Sequence, residues 1–391
     1  MMKFKISVIG TALLALCCFF SQFIYSSPVY AKEPKVLMVV NKKNVEEVKH
    51  LLPPTLYTRV KEWGLSFNVV PTVSDFVPIK EYLDATKKYE GQCKVGSDGG
   101  LLNYMAGCPF PNPKTAQEIV WNFHETYTGD DRYYPMFTGY IVDNKGHVRT
   151  NKSHTSKLKY IGRVKLPPLP EIPNKEGIEF KDMTMQHFPN VVKGLGVLTI
   201  RYKASDREDD MWIYLPAMRR IRRMSTAQRG DTFGGSDTTW DDYHQYSGKI
   251  ERNTYKMVGK QEILHLMHAE EGKLPDMQGI FCQGGNYEKV PVYVIESTSK
   301  DPNYVYSKRR WYVNPMTWNI LYQDIYDRQG RLWKSISERM VINGDYFYNN
   351  CFEVIDYQTK HATFWCCPGY QKDLNQPQSD YTIKALKAFA R

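Results

Sequence analysis

The sequence predicts a mainly β fold of the α+β class, in which a large antiparallel sheet lies beside a few helices. From about Tyr133 onward, short segments rich in Tyr, Val, Ile, Thr and Trp are separated by Asn, Asp and Gly, a pattern typical of successive strands and turns. Residues 140–146 and 326–330 have the composition of hairpin turns, and repeated hairpins build an antiparallel sheet. Helical segments do not alternate with these strands, which excludes a parallel sheet of βαβ units.

The predicted elements fall into two groups along the chain. A first strand at residues 35–40 precedes helices over 44–63, 80–89 and 114–127, where apolar residues recur at helical spacing; two prolines, Pro53 and Pro54, break the first helix. Strand candidates follow at 197–203, 211–224, 249–258, 290–297, 304–313, 319–326 and 332–342. Strands at this spacing form a meander or a barrel.

The amino-terminal residues have the pattern of an export signal. Lys3 and Lys5 precede an apolar run over residues 6–20, and Val29-Tyr30-Ala31 ends the segment with a small residue. A positive region, an apolar region and a small-residue cleavage site characterise a secretory signal peptide. We therefore expect cleavage after Ala31 and a periplasmic location in a Gram-negative bacterium.

The residues of this segment disfavour two other interpretations. A retained membrane anchor is disfavoured because Ser21 and Gln22 interrupt the apolar run before it reaches the roughly 20 residues that a membrane span requires. Lipidation is the second alternative, since Cys17 and Cys18 lie in the signal, but Leu16 stands where a small residue would precede an acylated cysteine. We expect a mature protein that is soluble or membrane-peripheral.

The remaining chain divides at a proline-rich stretch. Four prolines lie within residues 166–173, which predicts an extended connector, because such a run cannot continue a central strand. We expect a signal peptide over residues 1–31, an amino-terminal helical and strand region over 32–165 and a sheet region over 166–391. The last two regions should pack together as one large domain.

The chain is basic, with 52 Lys and Arg against 42 Asp and Glu; loss of the two signal lysines leaves a net charge of +8. Such a balance attracts anionic phospholipid, lipopolysaccharide or nucleic acid. An exported protein does not normally meet nucleic acid, so we expect no nucleic-acid partner.

Six cysteines remain after cleavage of the signal: Cys93, Cys108, Cys282, Cys351, Cys366 and Cys367. An even number in an oxidising compartment predicts disulfides, although the sequence does not choose among the pairings. Cys93 and Cys108 flank a short Gly-rich loop and form the favoured pair. Cys366 and Cys367 are adjacent and should each reach another partner. No CxxC motif is present, so we expect no metal site.

The most unusual stretch spans residues 210–243 and contains a cluster of arginines, Arg219, Arg220, Arg222 and Arg223. In a strand, successive side chains alternate between faces, so Arg219 and Arg223 should share one face and Arg220 and Arg222 the other. Four guanidinium groups at this spacing repel one another and need carboxylates or solvent around them.

Two interpretations of the arginine cluster stay open. In the first, an internal ion-pair network neutralises it through the acidic residues that follow, Asp231, Asp237, Asp241 and Asp242. In the second, part of the cluster, extended by Arg229, stays free to bind an anionic head group or an acidic partner. The sequence Gly234-Gly235-Ser236-Asp237 lacks the lysine of a phosphate loop and predicts a tight turn.

Aromatic residues are the other conspicuous feature of the predicted strands. Ordinary core packing explains most of them, but a curled, open sheet would let some line a concave apolar cavity for a lipid chain, with each buried methylene contributing about 0.8 kcal/mol. The candidates for lining such a cavity are Trp212, Tyr214, Trp240, Tyr255, Tyr293, Trp311, Trp318 and Trp333.

Motifs for catalysis are missing from the sequence. It contains no serine nucleophile elbow, no HExxH and no EF-hand loop. His265 and His268 have the spacing of one helical face, but their apolar neighbours fit a strand equally well, which would place them on opposite faces. We therefore expect no enzyme activity, no cofactor and no metal.

Several of these segments resemble a known family. Residues 212–223, with Gly235-Ser236-Asp237 and Asp241-Asp242, and residues 311–318 and 326–330 resemble periplasmic proteins of the outer-membrane lipoprotein-sorting-like group, relatives of the carriers LolA and LolB. Residues 103–111 and 121–122 resemble one large branch of that group. Together the blocks span residues 103–333.

The resemblance implies a LolA-like half-barrel, in which an antiparallel sheet curls around an apolar cavity and a few helices cover its concave face. In such proteins the cavity holds acyl chains or other lipophilic ligands, and some relatives are associated with RND-type exporters. It suggests a carrier that passes a hydrophobic molecule between an inner-membrane exporter and the outer membrane. The alternative is an envelope structural or adaptor protein that docks a partner through the arginine cluster.

Overall fold

A computed structural model of the protein describes residues 34–389, without the side chains of residues 226 and 227. The predicted signal peptide, residues 1–31, lies outside the described residues. Residues 34–130 contain three α-helices and four short strands: β1 (Met38–Val40), α1 (Pro54–Trp63), β2 (Phe67–Val69), α2 (Lys80–Tyr89), β3 (Lys94–Val95), β4 (Leu101–Leu102) and α3 (Ala116–Glu125). A 3-10 helix, Val45–Leu51, precedes α1, so the predicted break at the two prolines is confirmed.

Strands dominate the rest of the chain. A first run comprises β5 (Asp131–Val142), β6 (Val148–Lys159), β7 (Ile178–Phe188), β8 (Gly196–Tyr202), β9 (Asp210–Leu215) and β10 (Arg220–Arg223). A second run comprises β11 (Asn253–His265), β12 (Asp276–Gln278), β13 (Phe281–Gln283), β14 (Asn286–Ser299), β15 (Lys308–Val313), β16 (Ile320–Tyr326), β17 (Leu332–Asn343), β18 (Tyr346–Asp356), β19 (His361–Cys366) and β20 (Gln371–Lys372), followed by the helix α4 (Ile383–Phe389).

Sixteen strands form one sheet whose main path runs β1-β2-β14-β15-β16-β17-β18-β19-β5-β6-β7-β8-β9-β10. Neighbouring strands are antiparallel except β2 and β14, which pair in parallel. Because side chains from β7 and from β17 line the same cavity, the sheet curls around that space. The predicted mainly β class with a curled antiparallel sheet is therefore confirmed, with one parallel pair that the sequence did not indicate.

The helices take different positions around the sheet. A capping box starts α3, in which the Thr115 hydroxyl accepts a hydrogen bond from the Glu118 amide (3.2 Å), and Ile119 and Val120 are fully buried. Whereas α3 contributes side chains to the cavity, α4 packs through Leu386 on the opposite face of the sheet. None of the helices in the described range is both long and apolar enough to cross a membrane.

The segment 211–224, predicted as one strand, is instead a hairpin. Pro216–Met218 form a 3-10 turn and Arg219 has a positive φ of 52°, because Pro216 has no amide hydrogen with which to continue the ladder. The prediction that Arg219 shares a strand face with Arg223 is therefore wrong. The proline-rich segment 166–173 lies in the loop between β6 and β7, two adjacent strands of the same sheet.

The cysteines only partly follow the prediction. A disulfide joins Cys351 and Cys366, which oppose each other on β18 and β19. The favoured pair, Cys93 and Cys108, is not formed: the Cys93 thiol points to the Asn103 carbonyl (3.9 Å), and Cys108 is buried. The other two cysteines of the predicted set, Cys282 and Cys367, are also free thiols.

Candidate functional site

A cavity of about 840 Å³ lies on the concave side of the sheet, within the size range of small-molecule sites. Its walls come from β5 to β9, from α3, from the segment 228–247 and from β17 and β18. Alternation along each strand selects the lining residues: on β7, Asp182 and Thr184 face the cavity, whereas Met183 and Met185 pack on the α4 side.

Apolar side chains line part of the mouth of the cavity. They are Phe188 at the end of β7 and Val191, Val192 and Leu195 in the loop between β7 and β8. Phe188 is 44% exposed and Val191 83% exposed, so the cavity meets solvent at this loop. Exposed apolar residues grouped at an opening are typical of binding grooves and interaction sites.

The opposite end of the cavity is closed by paired charges. The Lys159 ammonium contacts Glu125 (3.1 Å), the Arg201 guanidinium contacts Asp209 (2.7 Å), and His124 hydrogen-bonds Glu179 (2.6 Å). Arg201 and Asp209 are 3% and 2% exposed. Each of these charged or polar groups has its ion-pair or hydrogen-bond partner within the group. We call these six residues the wall.

Glu125 and Glu179, together with His124, have the composition of a metal site, since their ligand atoms lie within 4.8 Å of one another. Lys159 already neutralises Glu125, and the hydrogen bond from His124 occupies Glu179. We therefore assign this group a structural role in the wall.

Three charged residues next to this wall face the cavity: Arg132, Lys157 and Asp182. They lie opposite one another on β5, β6 and β7, and none of them forms an ion pair within the described residues. The Arg132 guanidinium donates a hydrogen bond to the Thr128 hydroxyl (3.2 Å), and the Lys157 ammonium lies 3.6 Å from the ring centre of Phe180. We call these three residues the charged row.

Burial shifts the pKa values of Lys157 and Asp182 in the charged row. Loss of hydration and the nearby Arg132 charge lower the pKa of Lys157 to about 7, and burial raises the pKa of Asp182. Both shifts disfavour the charged form, as expected for ionisable groups that a partner does not fully compensate.

Two further titratable groups beside the charged row are neutral. Burial and the charges of Arg132 and Lys157 hold the pKa of His244 well below its usual range, and its Nε2 atom is buried without a hydrogen-bond partner. Burial raises the pKa of Glu338 to about 8, although Asn319 donates a hydrogen bond to its carboxyl group. The charged row therefore determines the net charge at the closed end of the cavity.

The structure corrects most of the predicted aromatic lining. Trp240 lines the cavity, but the other seven candidates do not belong to its lining. Tyr255, Tyr293, Trp311 and Trp318 pack in the cluster beneath α3, Trp212 and Tyr214 in the cluster beside α4, and Trp333 in a third cluster. On β9 the cavity residues are Met211 and Ile213, because alternate side chains point to opposite faces.

The arginine cluster lies at the free edge of the sheet, since β10 ends the main path. Arg219, Arg220 and Arg222 are exposed and form no ion pair in the described part of the chain, whereas Arg223 pairs with Asp210. Arg222 lies opposite Ile213, so it shares the cavity face of the sheet. The interpretation with free arginines therefore fits three of the four.

The predicted acidic partners do not neutralise the exposed arginines. Arg229 is the exception within the predicted set, because it is buried and contacts Asp241 (2.6 Å) and also Asp209 (3.2 Å). The remaining three have other surroundings: Asp237 contacts His361 (2.7 Å), Asp242 contacts Arg309 (2.7 Å), and Asp231 is exposed and lines the cavity.

Sequence reasoning did not identify the charged row, His244 or Glu338. On β7, Asp182 and Thr184 alternate with Met183 and Met185, which in a flat antiparallel sheet places Asp182 on the solvent face. The residues beside Arg132 and Lys157 show no such alternation. Only the curl of the sheet turns that face inward. The sequence does place a charged residue on each of these three consecutive strands. That pattern identifies a charged row only when the register between the strands is known.

Comparisons with known proteins agree with this fold. A family model described as "Protein of unknown function (DUF1329)" matches residues 39–387. Among curated proteins, Uncharacterized protein PA3922 of Pseudomonas aeruginosa is 23% identical over 333 residues, which cover 80% of this chain and 71% of that protein.

Solved structures show the same architecture. A domain from Vibrio parahaemolyticus, provisionally described as an outer membrane lipoprotein-sorting protein domain, matches with a TM-score of 0.52 and 19% identity over 69% of this chain and 97% of its own. A DUF1329 family protein from Desulfovibrio piger matches with a TM-score of 0.52 and 20% identity over 69% of this chain and 96% of its own. The resemblance to LolA-like sorting proteins is confirmed for the fold.

Proposed function

The chain belongs to the DUF1329 family, and we propose that this protein is a non-enzymatic carrier that binds a lipid or another hydrophobic molecule in its cavity. The observation that carries the proposal is the cavity of about 840 Å³ with apolar side chains at its mouth. A chain that buried about ten methylene groups there would gain about 8 kcal/mol from the hydrophobic effect, which offsets a large part of the cost of association.

The likeness to a structure described as a lipoprotein-sorting domain supports this proposal by analogy of fold, and function still has to be argued from the site. The export signal at residues 1–31 supports a periplasmic location. We further propose that the carrier exchanges its ligand with an RND-type exporter of the inner membrane and with components of the outer membrane, as the LolA-like resemblance implies.

Two measurements test the binding. The purified protein is extracted and its lipids are analysed by mass spectrometry, and displacement of a fluorescent fatty acid is then titrated. Thr184→Trp places a large ring in the cavity, whereas Thr254→Trp adds the same ring at an exposed site outside the lining. We expect Thr184→Trp to abolish probe binding and Thr254→Trp to retain it; a wild-type protein that carries no lipid and binds no probe refutes the proposal.

A second function, an envelope adaptor that docks an acidic partner at the edge strand, is favoured by Arg219, Arg220 and Arg222, which are exposed and form no ion pair within residues 34–389. Charge reversal by the double variant Arg220→Glu and Arg222→Glu separates the two functions. An adaptor loses its partner in a pull-down while probe binding is unchanged. A pull-down that is unaffected by the charge reversal contradicts the adaptor function.

A further inference from the structure

The charged row gives the cavity two unlike ends. Apolar side chains of the loop between β7 and β8 line the mouth, and Arg132, Lys157 and Asp182 lie at the far end beside a wall of paired charges. A ligand that is hydrocarbon throughout would desolvate the charged row, in which two cationic side chains face one carboxylate, and an uncompensated charge is costly to desolvate. The arrangement suits a ligand that is itself apolar at one end and charged at the other.

From this arrangement, and resting on the proposed carrier function, we propose that the ligand is a single-chain amphiphile with one carboxylate, of the fatty-acid class. Its carboxylate binds Arg132 and Lys157 at the closed end, and its hydrocarbon chain runs toward Phe188 and Val191 at the mouth. Arginine and lysine together offer charge-assisted hydrogen bonds to both carboxylate oxygens.

The balance of charge selects a monoanion. Two cationic side chains of the charged row face one carboxylate, Asp182, so a single added negative charge compensates the excess. The neutral state of Glu338 and His244 leaves this balance unchanged. A phosphate monoester would bring a second negative charge beside Asp182, and like charges at short range repel.

The opposite orientation of the same ligand predicts other contacts. Arg149 lines the cavity, is exposed and donates a hydrogen bond to the Gly235 carbonyl (3.0 Å). If the carboxylate stayed at an exposed rim, Arg149 rather than Lys157 would bind it. This alternative is an outcome of the experiment.

The experiment compares palmitate, hexadecanol and hexadecyl phosphate as competitors of a fluorescent fatty acid on the whole mature protein. We expect palmitate to bind at least about tenfold more tightly than hexadecanol, because only the acid gains charge-assisted hydrogen bonds. Lys157→Met should bring the ratio close to one, Lys157→Arg should restore it, and Arg149→Met should leave it unchanged. Thermal unfolding of each variant verifies that it is folded.

The outcomes separate the two proposals. If palmitate and hexadecanol bind equally well to the wild type, or hexadecyl phosphate binds best, the carrier function stands and the assignment of a monoanionic ligand is overturned. If Arg149→Met rather than Lys157→Met removes the preference for palmitate, the closed-end orientation is overturned. If no compound binds the wild type, the carrier function itself fails.

Discussion

Glu338 should make the protein less stable as pH rises, and Glu338→Gln should remove that effect. The carboxyl group is 5% exposed, and burial raises its pKa from 4.5 to about 8. Between these values the folded protein keeps the proton while the unfolded chain has lost it, so stability falls with rising pH by about 1.4 kcal/mol per pH unit. From pH 5 to pH 8 the free energy of unfolding would fall by about 4 kcal/mol, or by about 2 kcal/mol if water in the cavity halves the effect.

The assay is urea unfolding of the wild type and Glu338→Gln at pH 5, 6, 7 and 8, followed by tryptophan fluorescence. Glutamine keeps an oxygen that accepts the hydrogen bond from Asn319 but does not titrate, so the variant should gain about 2 to 4 kcal/mol on the wild type across this range. Glu62→Gln, at an exposed glutamate, is the matched control and should show no such gain. A constant difference between Glu338→Gln and the wild type at all four pH values would refute the buried, protonated carboxyl group.

Three further substitutions test the interior. Arg59→Met leaves Glu353 buried without its cation, now 2.6 Å away with both side chains at most 6% exposed, and should cost about 3–5 kcal/mol in the urea-derived free energy of unfolding. Trp311→Ala removes a fully buried ring and should cost about 3–5 kcal/mol by the same measurement. Cys351→Ser opens the cross-link to Cys366 across 15 residues and should cost about 3 kcal/mol, and reductant should lower the wild type to the same stability. An unchanged urea midpoint would contradict the burial or the cross-link concerned.

The periodic features of the sequence predicted much of the fold. The helix over 80–89 has the predicted bounds, and the hairpins at 140–146 and 326–330 join β5 to β6 and β16 to β17. These signals are local, since they depend on side-chain spacing and turn residues. The strand over 211–224 was mispredicted because its apolar pattern outweighed one local breaker, Pro216.

The cavity could not be predicted in the same way, because it depends on register and curvature. Trp212 and Tyr214 have the aromatic character expected of a lipid site, but the pleat gives the cavity face to Met211 and Ile213. A shift by one residue exchanges the two faces of a strand completely. Large side chains on a β sheet therefore predict burial well, but they do not predict which side of the sheet encloses a ligand.

Holding the charged row in the folded protein lowers its stability, so the requirements of folding do not account for these charges. Lys157 and Asp182 both have pKa values shifted toward their neutral forms, which means that the folded state holds these charges less favourably than water does. Apolar residues at the same positions would pack against Phe180 without that penalty. Local features that disagree with stability concentrate at functional sites. The charges of the neighbouring wall are paired and apolar side chains lie at the mouth, so the charged row is the part of the cavity where a ligand supplies the missing counter-charge.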